Sequence, residues 1–273
     1  MIGLEEVKSV IGRIISTGKI RCMRELIGLK ADAASLNMLF AGNPGTAKTT
    51  VARLLAQILK EEDVIRSGKL VESGRQDLVG KYVGWTAKII DQKFREAEGG
   101  ILFIDEAYSL VDDSNSFGAE AINTITQLME NYRDRVIVIF AGYPEKMKAF
   151  LDQNEGLRSR IAFHLNFPDY TPEELLDILR LHAGKREYTI AEDAIPAIRE
   201  ILANAVQQEN YGNGRYARNL LEQAIIRQSG RLYQAAPEQK LSAEEMCLLR
   251  AEDFAPIALG VAEADHPQIG FAV

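Results

Sequence analysis

The sequence predicts an α/β fold in which a five-stranded parallel sheet is sandwiched by helices and followed by a small α-helical domain. Unbroken apolar runs, typical of strands buried on both faces, occur at 38–41, 101–104 and 136–139. Stretches with helical spacing of apolar residues separate them, and beyond the last strand only helical patterns follow. We therefore place a large α/β domain at 1–168 and a small helical domain at 169–273.

The elements of the large domain alternate along the chain. Weaker strands near 70–72 and 162–165 bring the predicted sheet to five. Apolar residues at spacings of three and four predict helices over 49–60, 85–98 and 122–132. This alternation is typical of a doubly wound sheet with right-handed crossovers.

The small domain begins with a strong helix start. Thr171-Pro172-Glu173-Glu174 supplies a capping hydroxyl, a proline at the first helical position and a glutamate three residues after the cap. Apolar periodicity then predicts helices near 172–183, 191–208 and 215–233.

Composition and net charge limit the classes of function that the chain can have. The chain has 273 residues, 47% of them hydrophobic and 26% charged, with a net charge of −7. This composition excludes intrinsic disorder for most of the chain. The negative net charge argues against a protein that coats nucleic acid or an anionic membrane. No apolar run approaches the ~18–20 residues that span a bilayer, and the acidic amino terminus does not resemble a signal peptide. With two cysteines, we expect a soluble, cytoplasmic protein.

The charge is concentrated at the carboxyl end. From Pro237 onward the chain carries seven acids and two bases, so the preceding residues are nearly neutral. This acid-rich segment is either a solvated face or a surface for a partner.

A phosphate-binding loop follows the first strand and opens a helix, as the Walker A motif requires. Backbone N–H groups of such a loop wrap polyphosphate, Lys48 neutralises the β- and γ-phosphates, and Thr49 ligates Mg²⁺. A turn without a ligand is the alternative. The predicted nucleotide-contacting residues, which follow Gly42, are Asn43, Pro44, Gly45, Thr46, Ala47, Lys48, Thr49 and Thr50.

Ala47 stands where the usual Walker A pattern has glycine. A positive φ there costs an alanine about 1 kcal/mol, whereas a helical φ costs almost nothing. The intact Lys48–Thr49 pair favours the helical φ.

Two carboxylates, Asp105 and Glu106, follow the strand at 101–104 directly. Open α/β sheets bind ligands at the carboxyl ends of their strands. There Asp105 can hold Mg²⁺ and Glu106 can orient and polarise a water molecule. Two solvated acids are the alternative, but together with the phosphate loop the pair predicts ATP hydrolysis.

These motifs resemble those of AAA+ P-loop ATPases. The segments that carry the resemblance are Gly42–Thr49, Ile104–Tyr108, Leu157-Arg158-Ser159-Arg160 and Gly214–Arg218. The sequences of Phe103–Leu110 and Phe140–Tyr143 are most similar to those of the CbbX/CfxQ (red-type Rubisco activase) and stage V sporulation protein K group. The resemblance to this group covers nearly the whole chain.

The resemblance implies roles for several polar residues. Arg158 and Arg160 match the arginine-finger region, which reaches a γ-phosphate bound by the neighbouring subunit, and either can be the finger. Arg215 matches the sensor-2 arginine. Tyr143 occupies the sensor-1 position, where many relatives carry Asn, Thr or Ser.

The resemblance also implies two binding segments. Gly3 and Leu4 match the segment that cradles adenine. Lys81-Tyr82-Val83-Gly84 resembles the first pore loop, whose aromatic residue grips unfolded polypeptide by apolar contact; packing under the sheet is the alternative for Tyr82 and Val83. Residues 112–116 match a second, acidic channel loop.

The leading hypothesis is a ring-forming ATPase that uses Mg²⁺-ATP to thread a polypeptide through its pore, and we expect a homo-oligomer of six subunits. Its client is either Rubisco or a sporulation-linked protein. The alternative is a nucleic-acid motor or a clamp-loader-like switch. A third class, a scaffold that binds but does not hydrolyse nucleotide, conflicts with Lys48, Asp105 and Glu106.

Overall fold

A computed structural model describes residues 2–30, 35–80, 82, 84–111, 117–235 and 241–256 of the chain. The chain divides into two compact units, one formed by Gly3–Asp169 and one that begins at Tyr170. The domain boundary at 168/169 stays a prediction.

The first unit contains every strand of the predicted sheet. In chain order its elements are α1 (Glu5–Leu26), β1 (Met38–Gly42), α2 (Lys48–Glu61), β2 (Leu70–Ser73), α3 (Arg75–Leu78), α4 (Trp85–Glu96), β3 (Ile101–Ile104), a 3-10 helix (Ala107–Leu110), α5 (Phe117–Asn131), β4 (Ile137–Gly142), α6 (Pro144–Asp152), α7 (Glu155–Arg158) and β5 (Phe163–Phe167).

The five strands form one parallel sheet in the order β2-β3-β4-β1-β5. The predicted five-stranded parallel sheet with flanking helices is confirmed. Every residue of β1, β3 and β4 is buried, which explains why these strands read as unbroken apolar runs. The edge strand β5 instead alternates between covered and exposed residues.

Aromatic packing fixes the central strands against one another. The ring of Phe40 in β1 lies 6.4 Å from that of Phe103 in β3 and 5.0 Å from that of Phe167 in β5. These side chains are buried, and close packing of this kind leaves little freedom for the strands to shift. The carboxyl ends of β1 and β3 are therefore held in a fixed relation at one edge of the sheet.

Two differences from the sequence-based expectation have clear causes. Helix α1 was not predicted, because apolar residues occur on both its buried and its exposed sides and blur the helical period. Strand β4 ends at Gly142, three residues later than expected, and the last two of these, Ala141 and Gly142, are small residues that carry little strand signal.

The second unit is mainly helical. Its elements are α8 (Pro172–Gly184), β6 (Thr189–Ile190), a 3-10 helix (Glu192–Ala194), α9 (Ile195–Val206), α10 (Gly214–Ala235), α11 (Ala243–Cys247), β7 (Leu248–Leu249) and a 3-10 helix (Ala251–Asp253).

The start of α8 is capped as predicted, since the Thr171 hydroxyl accepts from the Glu174 N–H at 3.2 Å. The expectation that only helices follow residue 168 is wrong in one detail: β6 and β7 pair in parallel. Strands of two residues are too short to give a period-two pattern. Among the described residues, no helix is long and apolar enough to cross a membrane.

Candidate nucleotide-binding site

The loop between β1 and α2 has the backbone of a phosphate cradle. Gly45 and Ala47 both have positive φ angles, of 75° and 68°. Left-handed residues alternating with right-handed ones turn successive N–H groups toward one concave side, which is how such loops bind anions. Thr46 is buried, and its hydroxyl donates to the Asn43 carbonyl at 2.8 Å, which holds the loop closed. The 14-residue helix α2 begins directly afterwards and adds its N-terminal dipole.

The conformation of Ala47 corrects one expectation. The sequence favoured a helical φ, but the residue has φ 68° and ψ 21°, in the left-handed region. The loop geometry at the start of α2 therefore requires the positive φ that glycine usually supplies, and alanine tolerates it at a cost of about 1 kcal/mol.

Lys48 and Asn43 are both engaged within the loop. The Lys48 ammonium donates to the carbonyl oxygens of Gly42 and Asn43, each at 2.8 Å. The Asn43 amide donates to both carboxylate oxygens of Asp169, at 3.0 and 2.9 Å. A cation held at the start of the loop is positioned for a phosphate chain that the loop N–H groups bind. Asp169 was missed from sequence because it lies 126 residues from Asn43.

The two predicted carboxylates lie at the same edge of the sheet, at the end of β3. Asp105 donates its N–H to the Ser73 carbonyl at 2.9 Å, and its carboxylate accepts from the Glu106 N–H at 3.0 Å. Both side chains are exposed, and Glu106 has a φ of 48°. Strained backbone of this kind is frequent at functional sites.

These residues fit a magnesium ion that binds together with nucleotide. Among the described residues, no group of three or more His, Cys, Asp or Glu side chains lies close enough to hold a metal ion. Mg²⁺ in nucleotide sites keeps several waters and takes only one or two protein ligands besides phosphate oxygens. The hydroxyl of Thr49, in the first turn of α2, and the carboxylate of Asp105 provide such a set.

Sequence reasoning missed the surroundings of Glu106. Tyr108 is buried two residues further on; burial, and after it the charge of Glu106, raise its pKa to about 12. Its phenol therefore stays protonated at neutral pH. Tyr143 follows β4 directly, and its ring lies 6.0 Å from that of Tyr108. Lys146 lies over both rings, with Nζ 4.6 Å from the Tyr108 centroid and 5.5 Å from the Tyr143 centroid.

Ser73 is a second residue that sequence reasoning missed. It ends β2 beside Ile104, and it is buried. Within the described part of the chain, its hydroxyl has no hydrogen-bond partner. A buried polar atom without a partner beside the predicted carboxylate pair is consistent with a contact that forms only when nucleotide and water bind.

A cavity of about 580 Å³ lies elsewhere in the first unit. Its lining residues come from α1, from the end of α2 and from the loops that precede the strands, and they include Arg21, Lys60, Arg66, Glu98 and Arg135. The carboxyl ends of α2, α4 and α5 come to this edge of the sheet, where helix dipoles disfavour phosphate. The chemistry of the phosphate loop identifies the nucleotide site better than cavity size does.

Comparison with known proteins agrees with this geometry. Residues 38–169 match the model of the ATPase family associated with various cellular activities (AAA), and residues 171–264 match the AAA lid domain. The chain is 42% identical over 255 residues to the ribulose bisphosphate carboxylase/oxygenase activase, chloroplastic, of Cyanidioschyzon merolae, across 93% of this chain and 87% of that protein. The chain belongs to the CbbX/CfxQ family of AAA ATPases.

Two further relatives support this membership. Protein CfxQ of Xanthobacter flavus is 45% identical over 237 residues, covering 86% of this chain and 75% of that protein. Protein CbbX of Cereibacter sphaeroides is 40% identical over 255 residues, covering 93% and 82%. As a member of this family, the chain is an ATPase.

The arginine-finger candidates of this CbbX/CfxQ-type ATPase lie on a short segment after α6. Leu157 and Ile161 are buried and anchor residues 157–161, which we call the arginine segment. Arg158 is largely exposed and lies 3.5 Å from Asp152. Arg160 is more covered; its guanidinium donates to the Gly156 carbonyl at 2.9 Å. Both side chains emerge between the anchors, so the segment presents two cations.

Arg215 lies in the second unit, in the first turn of α10, and is exposed. The loop before it is well fixed. The Asn213 side chain accepts from the Tyr211 hydroxyl at 2.7 Å and from the Tyr170 N–H at 2.9 Å. The preceding Gly212 has a φ of 94°, which favours glycine. A rigid helix start therefore carries the predicted sensor-2 arginine.

The segment predicted to cradle adenine has an unusual backbone. Gly3 and Leu4 have φ angles of 57° and 59°. Leu4 is buried, and its carbonyl accepts from the Lys8 N–H at 3.0 Å, so it caps α1. Two consecutive left-handed residues bend the chain sharply at the start of the first unit.

The predicted pore-loop aromatic is exposed. Tyr82 has 63% of its surface accessible and Trp85 54%. Their rings meet edge to face with centroids 5.1 Å apart. The alternative in which Tyr82 packs under the sheet is therefore wrong. Gly84, with a φ of 76°, ends the turn and starts α4.

The base of this loop is tightly built. A side chain on Gly80 would come within 2.7 Å of Trp85 Cβ and 2.9 Å of the Thr86 nitrogen, so the turn requires glycine. Lys81, Val83 and the second channel loop at 112–116 lie outside the described residues.

Proposed function

We propose that this ATPase is a ring-forming protein remodeller that uses Mg²⁺-ATP to pull a polypeptide segment through a central pore, as a homo-oligomer of six subunits. The exposed Tyr82–Trp85 pair carries the proposal, because it lies in the same unit as the phosphate loop and the carboxylates. An aromatic pair on a glycine-bounded turn grips extended polypeptide by apolar contact and reads no particular sequence.

In the proposed reaction each residue has a distinct task. The loop N–H groups and Lys48 bind the phosphates, and Glu106 accepts a proton from the attacking water. Thr49 and Asp105 hold Mg²⁺, which neutralises charge on the phosphoryl oxygens when it is bound. An arginine of the arginine segment stabilises the same charge from the neighbouring subunit. Hydrolysis therefore depends on assembly.

The relatives favour one client class. Two of these three relatives are named CfxQ or CbbX, and the third is named a ribulose bisphosphate carboxylase/oxygenase (Rubisco) activase. We propose a segment of Rubisco as the client. The alternatives are a sporulation-linked protein, or a nucleic acid handled by a motor or clamp-loader-like switch, and a client trap distinguishes them.

The test is a client trap with Glu106→Gln. Loss of the base is expected to lower turnover by about 10²–10⁴-fold while nucleotide stays bound. The trapped protein, recovered from extract of its native cells with Mg²⁺-ATP, should retain Rubisco subunits, and Tyr82→Ala in the same background should release them. Rapid turnover of Glu106→Gln contradicts the assigned base, and recovery of nucleic acid in place of protein contradicts the client class.

A mixing experiment tests action between subunits. Titrating an Arg158→Ala/Arg160→Ala double variant into wild-type protein should lower the ATPase rate more steeply than dilution, because each variant subunit silences a neighbour. The two single variants then identify the finger. A rate that falls in simple proportion to the wild-type fraction contradicts an arginine supplied in trans.

A further inference from the structure

Helix α1 changes character along its length. Val7, Ile11 and Ile14 pack its first half into the core of the first unit. Its last turns and the residues after it present large apolar side chains to solvent. This set, which we call the α1 apolar patch, consists of Ile20 (58% exposed), Met23 (57%), Leu26 (85%), Ile27 (73%) and Leu29 (49%). Contiguous exposed apolar side chains mark interaction surfaces.

Helix α1, which carries the patch, and the arginine segment make polar contacts with the same end of α5 and the residues that follow it. Arg21 of α1 donates to the Asp134 carboxylate at 2.6 Å. One turn earlier, in α5, the carboxylate of Glu130 lies 3.4 Å from the Arg160 guanidinium. From the other side, the Ser35 hydroxyl donates to the Arg160 carbonyl at 2.9 Å. The patch and the arginine segment therefore belong to one region of the surface of the first unit.

We propose that the α1 apolar patch is part of the interface between subunits and is covered by a second copy of this chain. The inference rests on the proposed function: an arginine that reaches the phosphate of a neighbour requires that neighbour to cover the surface around it. The interface is heterologous, since the arginine side of one copy meets the phosphate side of the next. Heterologous contacts form a closed ring when the rotation between neighbouring subunits closes after a whole number of copies.

Charge around the patch favours the same occupant. Residues 19–30 contain four basic side chains, Lys19, Arg21, Arg24 and Lys30, and one acid, Glu25, whereas the whole chain carries a net charge of −7. The other residues of the chain are therefore acidic as a whole, and a positive rim around an apolar centre complements a copy with this charge.

Methionine oxidation in the wild-type protein tests this directly. Met23 lies in the patch, and Met246 of α11 is comparably exposed, at 48%. Hydroxyl radicals oxidise both according to their exposure. On assembly with Mg²⁺ and a non-hydrolysable ATP analogue, the ratio of Met23 to Met246 oxidation should fall severalfold. An unchanged ratio in assembled protein overturns the proposal, including the case in which the carboxyl-terminal residues of the same chain already cover the patch.

A matched pair of variants provides the second test. Met23→Glu/Ile27→Glu should remain monomeric in analytical ultracentrifugation with the analogue, whereas Met246→Glu should assemble like the wild type. Both should bind nucleotide, because neither change touches the phosphate loop. Wild-type-like assembly of Met23→Glu/Ile27→Glu overturns the patch interface and leaves the proposed function intact. A wild-type chain that does not assemble overturns both.

Discussion

Replacing Ala47 by glycine is expected to stabilise the nucleotide-free protein. The residue has φ 68° and ψ 21°, a conformation that costs an L-residue about 1–2 kcal/mol. Glycine adopts it freely, but it also makes the unfolded chain more flexible, which offsets about 0.4–1 kcal/mol. The net gain in the free energy of unfolding is therefore about 0.5–1 kcal/mol.

Urea denaturation followed by tryptophan fluorescence measures this gain. Trp85 is the single tryptophan of the chain and belongs to the first unit, which also contains the phosphate loop. Fluorescence therefore reports on the unit that carries the substitution. The measurement is made without nucleotide, since a bound ligand would add its own stabilisation.

The control is the same chemical change in an ordinary helix. Ala149 is exposed within α6, where glycine costs about 1 kcal/mol. Ala47→Gly and Ala149→Gly should therefore shift the denaturation midpoint in opposite directions. Equal destabilisation by both would refute the left-handed conformation of Ala47.

Two further predictions concern stability. Arg231 binds both carboxylate oxygens of the buried Asp253, at 2.9 and 2.8 Å, so Arg231→Met should lower the free energy of unfolding by about 2–3 kcal/mol in urea. Arg250→Met, which removes an exposed pair, should lower it by less than about 0.5 kcal/mol, and equal losses would contradict the argument. Burial, and after it nearby arginines, lower the pKa of His164 and of His182 in the folded chain. An unfolded histidine has a pKa of about 6.5, which is above the lowered pKa in the folded chain. The free energy of unfolding should therefore be fully present above about pH 6.5 and should fall as the pH drops from there toward the lowered pKa values. Acidifying from about pH 7.5 to about pH 5.5 should thus lower the melting temperature of the wild type more than that of His164→Gln/His182→Gln, and identical shifts would contradict it.

The parts of the fold that the sequence predicted well have strong local signals. Strands β1, β3 and β4 are buried at every residue, so each appears as an unbroken apolar run. The capping hydroxyl of Thr171 and the glutamate three residues later mark the start of α8. Helix α1 gave no clear period, because its second half carries apolar residues that the first unit does not bury.

The residues of the candidate site also differ in how strong their local sequence signals are. Lys48, Asp105 and Glu106 were identified because each follows a recognisable strand at a fixed spacing. Ser73 was not, because it meets the carboxylate pair only through the pairing of β2 with β3. Lys146 was not, because the turn into α6 places it over the aromatic rings. Such neighbours depend on tertiary packing, which motif spacing does not record.

The backbone at Ala47 shows a different limit. The flanking Lys48 and Thr49 match the Walker A motif, yet the inference that alanine implies a helical φ was wrong. Residue preference gives the cost of a conformation, whereas the loop around a phosphate site decides whether that cost is accepted.

The central claim, that this ATPase works on polypeptide through Tyr82, is tested most directly by client-stimulated ATP hydrolysis. The ATPase rate is measured for wild type, Tyr82→Ala and Tyr82→Phe, with a reduced, carboxymethylated α-lactalbumin as unfolded polypeptide and with single-stranded DNA. We expect stimulation by the polypeptide in the wild type and in Tyr82→Phe, and its loss in Tyr82→Ala, while unstimulated hydrolysis persists. Stimulation by DNA alone, unchanged in Tyr82→Ala, would contradict the account.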